Sequence, residues 1–300
     1  MQTDPSLQKF GYGLGLVGSI ALSFDIPLIR LAQADAFTVM FVRGAGLALI
    51  LFLFGHFVFK DRISAWAMLT DRDFVTVGAL SGLNNIFFTM AVFNTSAANV
   101  VFILAFNAML AAAISWPMTG ERPSIATLAA IFATLIGVGI IVSDGLVSGN
   151  FFGDVMALVC AILLAFSLTL TRKSGKNLAL APGFGGLVSA SFALPLVLWQ
   201  MKMPAAPFWL YLDAFVMVPL AGITLWLAPK YIPAPNVAMF YLLETVLAPI
   251  WIWFVFYETP SLNVFIGGSI VVAALSCHGL WELNRRRILG RPAKLQAKTG

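Results

Sequence analysis

The run FVTVGALSGLNNIFFTMAVFNTSAANVVFILAFNAMLAAAISWPMTG, residues 74–120, contains 47 residues and no Asp, Glu, Lys or Arg. A helix that crosses the roughly 30 Å hydrocarbon core of a bilayer needs about 20 mainly apolar residues. The run is therefore long enough for two crossings, with a turn at the polar residues Asn94–Asn99. Three other charge-free runs, 123–143, 177–201 and 259–281, are each long enough for one crossing.

The composition of the whole chain agrees with this reading. Of its 300 residues, 60% are hydrophobic and 10% charged, and the mean hydropathy is +0.92. Soluble domains are roughly 25% charged, so the composition excludes a soluble enzyme, a nucleic-acid binder and a disordered protein. Two cysteines and two histidines, Cys160, Cys277, His56 and His278, have no metal-site spacing, and we expect neither a metal nor a cofactor.

The sequence predicts an all-α membrane protein with ten transmembrane helices, at about 10–30, 36–59, 73–93, 99–118, 124–143, 152–171, 183–201, 207–228, 236–256 and 261–281. Lys and Arg favour the cytoplasmic loops. With both termini cytoplasmic, 15 of the 18 basic residues lie inside, two (Arg30 and Lys202) lie outside, and Arg43 lies within a span. The segment 284–300 is then a basic cytoplasmic tail beside anionic lipid, and we expect a multi-pass protein of the bacterial cytoplasmic (inner) membrane.

The two halves of the chain resemble each other. Residues 10–30 match 152–172 at 9 of 21 positions, including Arg30 with Arg172, and residues 98–124 match 235–261 at 8 of 27, including Glu121 with Glu258. The sequence thus predicts two five-helix repeats, 10–143 and 152–283. Because five is odd, the second repeat enters the membrane inverted relative to the first. Inverted repeats are typical of carriers that work by alternating access.

The chain resembles the EamA-type transporters of the drug/metabolite transporter superfamily. The resemblance rests on the ten spans, the inverted repeat and the two turns Gly120–Ser124 and Tyr257–Ser261, with Arg43 and Glu244 at further matching positions. Thr245 stands where the family pattern has proline, and Tyr257 where it has glycine. The resemblance implies a central cavity lined by helices 1, 3, 4, 6, 8 and 9. Members export amino acids, other metabolites and drugs, and some import nutrients.

Two charges lie at matching depths in neighbouring helices. Asp25 is five residues from the outer end of the first helix, and Arg43 is seven residues into the second from the same side. At about 1.5 Å per residue, they lie roughly 7 and 10 Å deep. A charge at mid-membrane costs about 2.5–3.5 kcal/mol, so the pair is either a structural ion pair or a site where Arg43 meets a substrate carboxylate or Asp25 takes a proton.

Glu244 is the other candidate, eight residues into the ninth helix, and its repeat counterpart is Asn107. Because no basic residue is predicted at its depth, it is a candidate for proton coupling or for binding a substrate amine. The alternative is a neutral acid held by hydrogen bonds between helices. Tyr241 and Trp251 share its helix face, where aromatic rings suit an amino group or an organic cation or serve only as packing.

Asn84 and Asn85 lie near the middle of the third helix, where a polar side chain needs a partner or water. Adjacent residues point about 100° apart, so we expect at most one of them to face a cavity and the other to join helices.

These residues predict a secondary carrier that exports a small polar metabolite, most simply an amino acid or related zwitterion, with protons as a candidate coupling ion. The substrate-binding or proton-coupling residues would be Glu244, Arg43, Asp25, Asn84, Asn85, Asn107, Tyr241 and Trp251. The alternatives are an importer of a nutrient or organic cation, and more remotely a membrane-embedded enzyme, which would need a nucleophile–base pair or metal ligands at membrane depth. The oligomeric state has no signature in the sequence.

Overall fold

The computed structural model describes residues 5–58, 70–120, 124–176, 178–200, 202, 204–228, 231 and 234–289. Ten helices, three of them interrupted, make up this part of the chain, and it contains no strand. They are α1 (Pro5–Ser23 and Asp25–Leu31), α2 (Ala36–Val58), α3 (Arg72–Asn94), α4 (Ala97–Ala105 and Asn107–Thr119), α5 (Ile125–Ser148), α6 (Phe151–Ser174), α7 (Ala181–Gln200), α8 (Pro207–Leu212, Asp213–Met217 and Val218–Leu227), α9 (Ala234–Phe256) and α10 (Leu262–Leu289).

The helices have the length and composition of membrane spans. Within the described residues, nine are long and apolar enough to cross a bilayer, and α9 adds a shorter apolar stretch, Leu243–Phe256. Large apolar side chains such as Phe52, Phe132 and Trp199 point outward and are at least 65% exposed. A surface of this kind is stable only against lipid, so the chain is an integral, multi-pass, all-α membrane protein.

Most predicted boundaries agree with the structure to within a few residues, and three differ by five residues or more. Helix α1 begins at Pro5, five residues before its predicted start at residue 10. Helix α5 continues to Ser148, because Asp144 in its last turns is held by Ser261 and Asn263 at the start of α10. Helix α10 continues to Leu289, into the segment predicted as a tail from residue 284. Residues 290–300 of that segment lie outside the described residues.

The two matching turns start their helices in the same way. The Ser124 hydroxyl accepts a hydrogen bond from the Thr127 amide at 3.1 Å, and the Ser261 hydroxyl accepts one from the Val264 amide at 3.2 Å. Each serine therefore caps the N-terminus of a helix, satisfying an amide that has no partner inside the helix. This explains the serine in both copies; Glu121 in the first turn lies outside the described residues.

Two helices are interrupted by proline. Pro27 lacks an N–H and its ring clashes with the carbonyl of Ser23, four residues earlier, and α1 breaks between Ser23 and Asp25. Pro219 stands in the same relation to Phe215, and α8 adopts a π-helical turn over Asp213–Met217. Turns of this kind are frequent at functional sites.

The third interruption has a different cause. Helix α4 breaks at Phe106, where the Asn107 side chain donates a hydrogen bond to the Leu104 carbonyl at 2.8 Å. A side-chain amide that takes a backbone carbonyl competes with the helix's own hydrogen bonds.

Helices of the first half pack mainly against helices of the second. Three pairings join counterparts in the two halves: α2 packs on α7, α4 on α9 and α5 on α10. The other pairings come in related couples. Helix α3 packs on α6 as α1 packs on α8, and α4 packs on α6 as α1 packs on α9. When each helix is exchanged with its counterpart five places away in the chain, the first three pairings map onto themselves. The α3–α6 pairing then becomes α1–α8, and the α4–α6 pairing becomes α1–α9.

Close contacts between the halves depend on glycine. A Cβ atom on Gly44 of α2 would lie 2.5 Å from the Gly186 carbonyl oxygen of α7, and one on Gly186 would lie 2.4 Å from the Gly44 carbonyl oxygen. Gly137 of α5 and Gly267 of α10 meet in the same reciprocal way, at 2.7 and 2.6 Å. Any side chain at these positions would push two backbones apart.

Candidate functional site

A cluster of three charged side chains lies buried where α1, α2 and α8 meet. Arg43 Nη2 donates to Asp25 Oδ2 at 3.1 Å, and Arg43 Nη1 donates to Asp25 Oδ1 and, at 3.0 Å, to Asp213 Oδ2. The Phe88 ring of α3 lies against the guanidinium, 4.9 Å from ring centroid to Cζ. The structure thus brings Asp25 to Arg43, and it adds a second carboxylate.

This Arg43 cluster (Asp25, Arg43 and Asp213) is closed off from its surroundings. Asp25 and Arg43 are each 7% exposed and Asp213 is fully buried. Two polar atoms, Arg43 Nε and Asp213 Oδ1, are buried without a hydrogen-bond partner. A buried ion pair is tolerated when the remaining polar atoms are also satisfied, so these two atoms mark places where the cluster is incomplete.

Asp213 is the functional candidate that sequence reasoning missed. It lies six residues beyond Pro207, the first residue of α8. That depth is close to the depth of Arg43 in α2, so the argument that linked Asp25 to Arg43 would also have found Asp213.

The two carboxylates stand where their helices are irregular. Asp25 is the first residue after the break in α1, and Asp213 is the first residue of the π turn in α8. Interrupted helices carry the binding sites of many carriers, because they free backbone groups and let one part of a helix move against the other. Both acidic groups of the Arg43 cluster therefore lie at helix interruptions of the kind that form binding sites in carriers.

Glu244 lies on the side of α9 that faces α1. Phe240, one turn earlier, fills the space above Gly15 of α1, and Trp251, two turns later, donates a hydrogen bond to the Ser23 hydroxyl at 3.0 Å. Residues 240, 244 and 251 share one helix face. Glu244 is half-buried, makes no hydrogen bond or ion pair with the described part of the chain, and lies close enough to Asp25 for the two carboxylates to interact.

An aromatic layer separates Glu244 from one end of the bundle. The Trp251 ring stacks on Phe24, with centroids 4.9 Å apart and planes at 17°. Seven residues beyond Trp251 and six beyond Phe24, Glu258 Oε1 and Arg30 Nη1 form an ion pair at 2.5 Å. At about 1.5 Å per residue these levels are about 10 Å apart, so Glu244, the Trp251–Phe24 layer and the Arg30–Glu258 pair follow one another toward this end.

The Arg30–Glu258 pair lines a polar cavity of about 510 Å³, with Phe93, Asn94, Thr95, Ser96 and Asn150 as its other walls. Arg30 also donates to the Thr95 carbonyl at 3.1 Å, so it joins α1 to the α3–α4 turn and the α9–α10 turn. We call this the Arg30 end of the bundle; the sequence predicts that it faces outward. Glu258 lies three residues before Ser261, which caps α10.

The asparagines predicted as site residues form hydrogen bonds within or between helices. Asn84 donates to the Cys160 carbonyl of α6 at 2.9 Å, and Asn85 donates to the Ser189 hydroxyl of α7 at 2.8 Å. Both amides therefore join helices; the prediction was that at most one of them faces a cavity. Asn107 is bonded to its own helix, as described above, and the Tyr241 side chain lies outside the described part of the structure.

A second cluster with the same charges lies at the opposite end of the bundle, which we call the Lys176 end. Lys176 Nζ lies 2.8 Å from both carboxylate oxygens of Asp71 and 2.7 Å from Asp73 Oδ2. These hydrogen bonds raise the pKa of Lys176, and the one to Asp71 lowers the pKa of that carboxyl. All three side chains of this Lys176 cluster are at least a quarter exposed.

Another carboxylate, Asp154 of α6, is fully buried near the Arg30 end. Its Oδ1 accepts hydrogen bonds from the Thr95 hydroxyl at 2.6 Å and from the Asn99 amide at 2.9 Å. It contacts no basic side chain among the described residues, and it ties α6 to the α3–α4 turn. Within the described ranges, no three His, Cys, Asp or Glu side chains are placed to hold a metal ion.

Comparisons with known proteins agree with this architecture. A solved crystal structure of a protein superposes with a TM-score of 0.64 at 16% sequence identity, covering 90% of this chain and 98% of that one. At this identity the match shows a shared fold and carries no information about substrate. No curated protein matches the chain. Residues 9–143 match the model of the EamA-like transporter family, a family of the drug/metabolite transporter superfamily.

Proposed function

We propose that the protein is a secondary carrier that exports a small polar metabolite, an amino acid or related zwitterion, across the bacterial inner membrane by alternating access. The observation that carries this proposal is Glu244, a carboxylate without hydrogen bond or ion pair in the described chain, facing α1 beside the Arg43 cluster. Ionisable groups at this depth mark substrate and ion pathways. The export direction follows the family resemblance.

The charges suit a zwitterion that lies between α1 and α9. Glu244 would receive the substrate ammonium group, and the Trp251 ring, two turns further along the same face of α9, would offer a cation–π surface. The unpartnered Nε of Arg43 would donate to the substrate carboxylate after a modest shift of its side chain. Asn84, Asn85, Asn107 and Tyr241 would contribute hydrogen bonds only in a conformation that releases the partners the described amides now have.

Two inverted five-helix repeats, 10–143 and 152–283, would open this site alternately to the two sides. The symmetric set of helix pairings supports this arrangement, as do the capping serines at equivalent positions. In the present conformation the Trp251–Phe24 layer and the Arg30–Glu258 pair would close the path toward the Arg30 end.

The second candidate is a carrier of organic cations. Three carboxylates, Asp25, Asp213 and Glu244, accompany the single guanidinium of Arg43. The excess of negative charge favours a cation without a carboxylate, and import would use the same fold.

Flux into proteoliposomes tests both candidates. We expect saturable transport of at least one member of a radiolabelled amino-acid panel, and a KM for it at least tenfold higher in Glu244→Gln, because a charge-assisted hydrogen bond contributes about 1.5–3 kcal/mol. Asp73→Asn, which removes a carboxylate of the Lys176 cluster, is the matched control and should keep the wild-type KM.

Transport of tetraphenylphosphonium with no amino-acid flux would select the cation carrier instead. An unchanged KM in Glu244→Gln would remove Glu244 from the binding site. The wild-type protein must first be shown to be folded, by its elution in size-exclusion chromatography. If it then transports neither amino acids nor tetraphenylphosphonium, both proposed substrate classes are wrong.

A further inference from the structure

The Arg43 cluster has a charge that does not balance. Two carboxylates and one guanidinium sum to −1 when all three are ionised, and the three side chains are at least 90% buried. An uncompensated charge in a low dielectric is costly. In its resting state the cluster must therefore bind one cation or one proton, which brings its net charge to zero.

The geometry points to a proton as the missing charge, and we propose that the Arg43 cluster is the proton-coupling site of the carrier, with Asp213 as the group that binds the proton. This proposal rests on the proposed function for its coupling step. The binding of a proton to the cluster does not depend on the proposed function.

Asp213 is the better acceptor of the two carboxylates. Asp25 meets the guanidinium through both of its oxygens, whereas Asp213 uses only Oδ2. Its other oxygen, Oδ1, is buried and has no partner. A proton on Asp213 leaves Asp25 and Arg43 as a neutral, doubly hydrogen-bonded pair, which is the arrangement that a carboxylate and a guanidinium favour.

A metal cation fits this place less well than a proton. Na⁺ or another hard cation would need several oxygen ligands, and Asp213 Oδ1 is the one carboxylate oxygen of the cluster without a partner. A proton needs only a single oxygen.

The surrounding groups do not supply the missing charge. Among the described residues, the charged groups acting on Asp213 are Asp25 of α1 and Arg43 of α2. Glu244 of α9 acts on Asp25, and the Cys160 thiol of α6 acts on Arg43. Glu244 would add negative charge, so it increases the imbalance.

Protonation of Asp213 would change how three helices are tied together. With Asp213 ionised, Arg43 holds α2 to both α1 and α8; with Asp213 neutral, the α2–α8 tie loses its charge. Asp213 opens the π turn of α8, and Asp25 follows the break in α1, so the weakened tie acts on segments that can deform. A proton shifts a conformational equilibrium only through such a difference in affinity between states.

The charge arithmetic makes a sharp prediction about variants. Removing either carboxylate, by Asp25→Asn or by Asp213→Asn, leaves one carboxylate with one guanidinium, which needs no proton. Both variants should therefore lose the bound proton. Asp154→Asn is the matched control, because Asp154 is a buried carboxylate outside the cluster and its removal leaves the charges of the cluster unchanged.

Infrared titration of the purified protein measures proton binding without any substrate. We expect one component of the protonated-carboxyl absorption of wild-type protein to be retained in Asp154→Asn and to be missing in both Asp25→Asn and Asp213→Asn. Protons on Asp154 or Glu244 would contribute other components, which remain in both cluster variants. An absorption that is undiminished in both of these variants would overturn the proposal. Because the two variants are independent, a folding failure in one leaves the other as the test.

Proteoliposome flux then tests coupling. For the best amino-acid substrate, the ratio of pH-gradient-driven accumulation to exchange at equal pH should fall at least tenfold in Asp213→Asn and stay near wild type in Asp154→Asn. An unchanged ratio, or accumulation driven by a sodium gradient instead, would overturn the coupling role. Absence of any wild-type flux with the infrared band present would contradict the proposed function while leaving the proton site in place.

Discussion

The Arg43 cluster and the Lys176 cluster contain the same charges in different surroundings. Each has one basic side chain between two aspartates. In the Arg43 cluster the side chains are at most 10% exposed, whereas in the Lys176 cluster they are 27–47% exposed. Water and ions compensate the extra negative charge of the Lys176 cluster, but they do not reach the Arg43 cluster. The comparison teaches that burial, and not the set of residues, turns such a group into a candidate proton site.

The largest expected effect comes from removing the buried cation. Arg43→Leu leaves two buried carboxylates without a partner, and breaking a buried pair costs about 3–5 kcal/mol. We expect a marked loss of thermal stability in detergent that 1 M salt does not alter. Adding Asp25→Asn and Asp213→Asn should restore most of the stability, and a single variant as stable as wild type would show that the cluster is reached by water.

A smaller effect is expected at the Arg30 end. Glu258→Gln removes the charge that holds Arg30, a half-exposed pair that contributes about 0.2–1 kcal/mol. In a Cys277→Ser background, a Ser96→Cys side chain on the cavity wall should then react about two- to fivefold faster with a membrane-impermeant maleimide. Asp73→Asn serves as the control, and slower labelling in Glu258→Gln would contradict a closing role for the pair.

The smallest effect is expected for Lys176→Gln. The pKa of Asp71 is lowered from 3.8, so its contribution to stability is present above that pH and is lost as the pH falls through the lowered pKa. The pKa of Lys176 is raised from 10.5, so its contribution is present below that pH and is lost as the pH rises through the raised pKa. Thermal unfolding should therefore show a small difference from wild type that is constant from about pH 5 to 9 and disappears in 1 M salt. A difference that varies within that window would contradict the comparison.

The sequence predicted the spans well, because a bilayer imposes a length and an apolar composition that can be read along one dimension. It also predicted that Asp25 and Arg43 lie at similar depths. Asp213 lay within reach of the same argument. That argument could not predict the π turn at Asp213–Met217 or the contact of Arg43 with two carboxylates, since both depend on how α8 packs on α1 and α2.

Contacts between distant turns were also beyond the sequence. The pairing of Arg30 with Glu258 depends on where the α9–α10 turn lies over the end of α1, with Tyr257 in a left-handed conformation at φ 56°. The hydrogen-bond partners of Asn84 and Asn85 could not be predicted either. Their helical positions were predictable, but their partners Cys160 and Ser189 belong to two different helices of the other half.

The central claim is that two oppositely oriented copies of one five-helix unit open a shared site to either side. Repeat-related Arg30 and Arg172 should then lie on opposite faces of the membrane. Single cysteines near them, Ser96→Cys and Ser174→Cys in the Cys277→Ser background, test this in intact and permeabilised cells with an impermeant maleimide. We predict that Ser96→Cys reacts in intact cells and Ser174→Cys only after permeabilisation, and that a transported amino acid changes the two rates in opposite directions. Labelling of both cysteines from the same side would contradict the claim.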